Sequence, residues 1–171
     1  APFYGSGVTG RYLQIRTVLG HLPTIDETPV LFDLTAIANR PPDVTGAYPS
    51  TDLLWPPNHK MRTIEILGVT DPDGDPVRID VLSISQDEPV YSAKRRGTGP
   101  DGEGVGSPAV RLRAERNGYA PHNGRVYFVN FVARDANGAE ALGSVEVGVP
   151  HDIADPICVD DGQVYDSTEA R

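Results

Sequence analysis

Residues 125–149 read RVYFVNFVARDANGAEALGSVEVGV, and this run decides the fold. Arg125 to Arg134 is a β-branched and aromatic stretch, Gly143 to Val149 is a second strand-like run, and Asp135-Ala136-Asn137-Gly138 joins them. An Asn-Gly step supplies the positive φ angles of a tight turn, so the run predicts two antiparallel strands in a hairpin. The same reading extends upstream. Val110 to Arg116 alternates, with Leu112 and Ala114 inward and Arg111 and Arg113 outward. Val77 to Ser85 sets Val77, Ile79 and Val81 against Arg78 and Asp80, and Met61 to Val69 puts Ile64 and Ile66 on one face. Asn117-Gly118 and Asn123-Gly124 mark another tight connection, whereas residues 86 to 109 form a polar, Gly-rich loop too long for a simple hairpin. No run of ten or more residues carries capped helical periodicity. The expected fold class is all-β, an antiparallel β-sandwich over residues 39–150 with extra N-terminal strands.

Those extra strands are Arg11 to Leu19, with Leu13, Ile15 and Leu19 on one face, and Val30 to Ile37. Asn39-Arg40-Pro41-Pro42-Asp43 separates them from the sandwich, because its prolines cannot continue a ladder. Two strands alone bury no core. Residues 1–38 are therefore expected to be the last strands of a preceding β-sandwich domain, in a chain that begins inside a domain. Their unpaired edges should pair with another protein chain, or with the upstream part of their own precursor, by strand addition. Residues 151–171 read as an acidic C-terminal tail.

The chain has 171 residues and a formal net charge of −9. That leaves no basic stripe for nucleic acid. No apolar run is long enough to span a membrane. Cys158 is the single cysteine, so no internal disulfide can form, and its acidic surroundings disfavour a reactive thiolate. The 18 glycines and 16 prolines are spread between β-branched runs as turn punctuation.

The sharpest chemical feature is Asp71-Pro72-Asp73-Gly74-Asp75-Pro76. Three carboxylates on alternate residues of a short turn either repel one another or share a hard cation, and Ca²⁺ is the usual one. The spacing is not that of an EF-hand, which needs Gly where Pro76 stands and an acid where Leu82 stands. The alternative is a solvated Asp-Gly turn.

His21, His59, His122 and His151 have no metal-binding spacing. Trp55 reads as a plug at the end of the core, with His59 packed on it. Trp55, Tyr48 and Tyr119 as a sugar platform is the competing reading. Lys60 reads as a surface cation rather than half of an isopeptide link to Asn130. Ser83 and Ser85 have no evident base, and hydrolase, zincin and phosphate-loop motifs are missing. No catalytic residue is assigned.

Leu54-Trp55-Pro56-Pro57-Asn58-His59-Lys60, Val110 to Arg116, Gly124 to Tyr127, Ala133 to Gly138 and Val149-Pro150-His151-Asp152 resemble, in order, the motifs of Ig-like modules in secreted bacterial multidomain proteins. Such modules are similar to hyalin-repeat, polycystic-kidney-disease and cadherin-like domains. Residues 11–37 resemble the last strands of a jelly-roll or laminin-G-like domain. The first resemblance implies an Ig-like sandwich, an extracellular or cell-surface location, and a non-catalytic spacer or adhesive role. In cadherin-like folds an acid placed like Asp135 approaches the loop carrying Asp71, Asp73 and Asp75. Asn39 and Asp43 would lie at the same end and complete an oxygen cage for Ca²⁺; the other reading of Asp135 is a residue that only starts its own turn. Two further functions stay open, a carbohydrate-binding module that takes polysaccharide and the C-terminal part of a secreted enzyme.

Overall fold

The computed structural model describes residues 39–90, 99–119 and 122–169. The chain divides into two compact units, residues 1–40 and 41–171. Only residues 39 and 40 of the first are described, so the strands expected at 11–19 and 30–37 lie outside the described residues.

The second unit is an all-β sandwich of eight strands: β1 (Tyr48–Pro49), β2 (Met61–Leu67), β3 (Arg78–Gln86), β4 (Gly102–Glu103), β5 (Ala109–Arg113), β6 (Arg125–Arg134), β7 (Glu140–Val149) and β8 (Tyr165–Asp166). They form two four-stranded antiparallel sheets, ordered β1-β2-β5-β4 and β7-β6-β3-β8. The hairpin at Asp135-Ala136-Asn137-Gly138 pairs β6 with β7 from Arg134↔Glu140 to Arg125↔Val149. The second strand thus starts three residues earlier than the apolar pattern indicates, because Glu140, Ala141 and Leu142 extend the ladder although Glu140 and Leu142 face solvent.

The two inner faces supply the core. Ile64 and Ile66 of β2 and Val110 and Leu112 of β5 face Tyr127, Val129 and Phe131 of β6 and Val145 and Val147 of β7. β3 changes face within its length: Val81 and Ile84 are both buried, which strict alternation forbids. A β-bulge between Val81 and Ser83 shifts the register and leaves Leu82 exposed. Gly143 follows from packing, since a Cβ there would stand 2.5 Å from the Phe131 ring.

Three short strands carry no sequence pattern of their own. One lies in the tail: Tyr165–Asp166 pairs with Ser85 and Gln86 as an edge strand, and the following Ser167 is fully buried. Ser167 ties the sheets together, donating its N–H to Ile84 O and accepting from the N–H groups of Asp101 and Gly102.

Candidate functional site

Four of the expected acidic residues gather at one end of the sandwich. Asp43 forms an isolated antiparallel bridge with Thr70, next to Asp71. The Asp71 Oδ1 atom accepts the N–H groups of Asp73 at 2.8 Å and Asp75 at 3.2 Å. Gly74 occupies φ +82°, which this turn requires and other residues rarely adopt. Asp135 Oδ1 likewise accepts the N–H groups of Asn137 and Ala139, at 2.9 and 2.8 Å. Asn137 Nδ2 then donates to Asp75 Oδ2 at 2.6 Å and joins the hairpin to the acidic loop. Asp43 Oδ1 accepts from the Thr45 hydroxyl and N–H, which hold its carboxyl below the usual carboxylate pKa. Asp73 is exposed on the turn. Asn39 belongs to the other unit.

Asp43, Asp71 and Asp135 thus each use one oxygen to close their own turn, as short polar side chains do in loops. Among the described residues, no three His, Cys, Asp or Glu side chains stand in a ready metal-holding group. One oxygen is left over: Asp71 Oδ2 is buried and has no hydrogen-bond partner. A buried carboxylate oxygen without a partner is costly, and a hard cation is one way to satisfy it. A cation there would be held by Asp71 with further oxygens from the same loops.

A second polar cluster lies inside the sandwich, and sequence reading missed it. Arg125 Nη1 donates to Asp101 Oδ2 at 2.7 Å and to the Tyr127 hydroxyl oxygen at 3.0 Å, while Arg125 Nε reaches Glu88 Oε2 at 3.0 Å. Gln86 Nε2 donates to Asp101 Oδ2 at 3.0 Å, and the Tyr127 hydroxyl donates to Arg113 O. Burial opposes the charge of Arg125, but Tyr127, Asp101 and Glu88 more than reverse this and raise its pKa. Burial raises the Tyr127 and Glu88 pKa values. The signal was present: β-alternation puts Arg125 on the core face with Tyr127, Val129 and Phe131, and a cation there needs partners. The bonds of the cluster tie β6 to the loops carrying Glu88 and Asp101 and to β5, which is structural work.

The remaining candidates fall as follows. Leu54, 3% exposed, fills the core end, whereas Trp55 is 39% exposed and is no plug. The reason is the turn: Leu54 N–H bonds Gly148 O and its side chain points inward, which turns its neighbour outward. Tyr48 pairs with Leu67 at the far end of β2 from Trp55, which lines a groove with Arg62, so these aromatics form no single platform. Lys60 is exposed, and Asn130 Nδ2 donates to Ser83 Oγ. His59 Nδ1 pairs with Glu115 Oε2 at 2.9 Å. His122 Nδ1 and His151 Nε2 meet at 3.0 Å, a pairing that their separation of 29 residues concealed. Burial, Arg116 and His122 lower the His151 pKa. Burial, then Asp87 and Glu88, push the Cys158 thiol up to about 11, consistent with an unreactive thiol. Ser85 Oγ donates to Gln163 Oε1.

Compared with known proteins, the chain matches no family model, no curated protein and no solved structure at a significant level. The likeness to secreted Ig-like modules therefore stands on the motifs quoted above.

Proposed function

We propose that this chain is a non-catalytic structural or adhesive module of an exported bacterial multidomain protein, stabilised by Ca²⁺ at its acidic end and joined to neighbours by strand addition. The observation that supports the reading is the buried, unpartnered Asp71 Oδ2 at the end where Asp43, Asp75 and Asp135 gather. Asp71 would hold the cation directly. Asp75 and Asp135 would lend negative charge, and the backbone bonds they and Asp71 make keep the loops in place before the ion arrives. Its chemistry is that of a hard ion bridging loops, and its effect is on stability rather than on turnover. The edge of β7 around Leu142, 71% exposed, is where a further strand would add, since among the described residues no strand pairs with it on that side.

The test is the melting temperature of the full chain with calcium, with magnesium and with EDTA. A cation present at about 100 times its Kd adds about 2.7 kcal/mol to the native state. Calcium should raise the melting temperature over EDTA, and Asp71→Asn should remove the response, because Asn retains the Oδ1 acceptor of the turn and replaces Oδ2 with an amide. Identical melting in calcium and EDTA would sink the calcium reading.

A further inference from the structure

The groove beside Trp55 combines features that the acidic end does not share. Residues 51–55 cross the side of the sandwich, anchored to β7 by Leu54 N–H to Gly148 O and Gly148 N–H to Asp52 O, each 2.8 Å. Between this segment and β2 lies an open groove of about 500 Å³ whose lining includes Thr51, Leu53, Trp55, Arg62 and Thr63. The indole of Trp55 is 39% exposed beside it.

The charges around the groove are unusual for this molecule. Arg78 and Arg134 bind Asp80, Arg111 binds Glu103, Arg113 binds Pro100 O, Arg116 binds Pro150 O and Arg125 binds Asp101. Among the described residues of the sandwich, Lys60 and Arg62 are the two cations whose side chains make no hydrogen bond or ion pair. Arg62 lies on β2 and Lys60 just before it, where Lys60 O accepts the Ala114 N–H and continues the β2–β5 pairing, so the two residues share a side of the extended chain. In a chain of net charge −9 an unpaired guanidinium that lines a groove with an exposed indole is a local positive site, and Lys60 adds charge two residues before it.

We propose that this groove binds a carboxylated pyranose, with the sugar ring on the Trp55 face and the carboxylate on Arg62, Lys60 standing beside it. The chemistry selects that class. An indole face accepts the C–H face of a sugar ring, and the Thr51 hydroxyl matches a sugar hydroxyl. A guanidinium fork matches a carboxylate in both geometry and charge. A purely apolar ligand would leave the Arg62 guanidinium and the Thr51 hydroxyl unanswered. A dense polyanion would meet the repulsion of the whole acidic chain, screened only beyond about 8 Å at physiological salt. The ligand is therefore an isolated or terminal acidic sugar. The proposal is independent of calcium, since Asp71 lies past the opposite end of β2 from Arg62.

Trp55 is the only tryptophan, so its fluorescence reports the site in the full chain. The probes are the monomeric methyl glycosides of galacturonate, of glucuronate and of N-acetylneuraminate, each beside its methyl ester as a charge-free match. At least one free acid should give a saturable change, with its ester about tenfold weaker. Arg62→Gln should lower affinity for the acid to that of the ester. Trp55→Ala, followed by amide shifts of Thr63, should abolish binding of both. Neither variant removes a hydrogen bond of the fold, and an unchanged melting curve confirms that each is folded. The proposal is overturned by no response to any of the three acids at about 20 mM, far above a weak Kd of ~1 mM. Equal response to acid and ester, an unaffected Arg62→Gln, or an equal response to inorganic sulfate would overturn it as well.

Discussion

Replacing Arg125 with methionine tests whether the buried polar cluster holds the two sheets together. Arg125 sits on β6 in one sheet, while Asp101 immediately precedes β4 in the other. Their side chains are 3% and 0% exposed and meet at 2.7 Å. Methionine preserves the length and apolar stem of arginine, so the change removes charge and hydrogen bonds with little loss of volume. Asp101 Oδ2 would keep only the Gln86 amide at 3.0 Å, and Glu88 and the Tyr127 hydroxyl would each lose a donor. Removing one partner of a buried ion pair costs about 3–5 kcal/mol, and Asp101, which keeps the Arg113 guanidinium at 3.4 Å, puts this variant toward the lower end of that range. For a domain of this size that is a fall of roughly 10–15 °C in melting temperature. Urea titration of wild type, Arg125→Met, Asp101→Leu and the double variant measures it. The double variant should lose less than the sum of the single losses, by about 1–3 kcal/mol. A loss below about 1 kcal/mol for Arg125→Met, or strict additivity, would refute the claim that this pair bridges the sheets.

Other positions give independent checks. Gly143→Ala should cost about 1–3 kcal/mol in urea melts, because its Cβ would meet the Phe131 ring at 2.5 Å; no cost would mean that the ring moves freely. Cys158, with its thiol raised to about 11, should react with iodoacetamide at least about tenfold more slowly in the native chain than in urea, and equal rates would contradict its burial. The His122–His151 pair should make stability depend on pH. The folded His151 pKa is lowered, so the unfolded chain binds more protons between that value and 6.5. The pair's contribution is thus present above about pH 6.5 and fades as pH falls through the folded pKa. Asp87 and Glu88, whose pKa values burial raises, act in the opposite sense but from 3.8 and 4.5 upward. Melting temperatures of wild type and His122→Gln between pH 5 and pH 8 isolate the effect, which should appear as a shallower slope in the variant.

How much of this was legible in the sequence depends on whether a feature is local. β6 was readable to the residue, because a strand at the centre of a sheet is apolar along its length and its turn carries Asn-Gly. β2 and β3 were readable to within two residues from alternation alone, and β5 to within three. β1, β4 and β8 were not, because two residues hold no period and exist as strands only through a neighbour's unpaired edge. The bulge in β3 escaped for a related reason. It is set by the loop after β4, where Val81 N–H bonds Ser107 O and Gly106 N–H bonds Val81 O, so the partner of Val81 lies in the other half of the sandwich. The candidate sites divide in the same way. The Asp71 turn and the Asp135 turn are local acceptors of their own backbone and announce themselves by spacing. Their meeting through Asn137 and Asp75 follows from both turns lying at the same end of antiparallel strands. Arg125–Asp101, His122–His151 and the groove beside Trp55 join residues far apart in the chain, and no local pattern encodes such a pairing. Alternation could still have posed the question for Arg125, because a guanidinium in line with Tyr127, Val129 and Phe131 cannot stay buried alone. Arg62 stands two residues before Ile64 on the same strand, but at its open end, where the same direction delivers a charge to a groove rather than to the core.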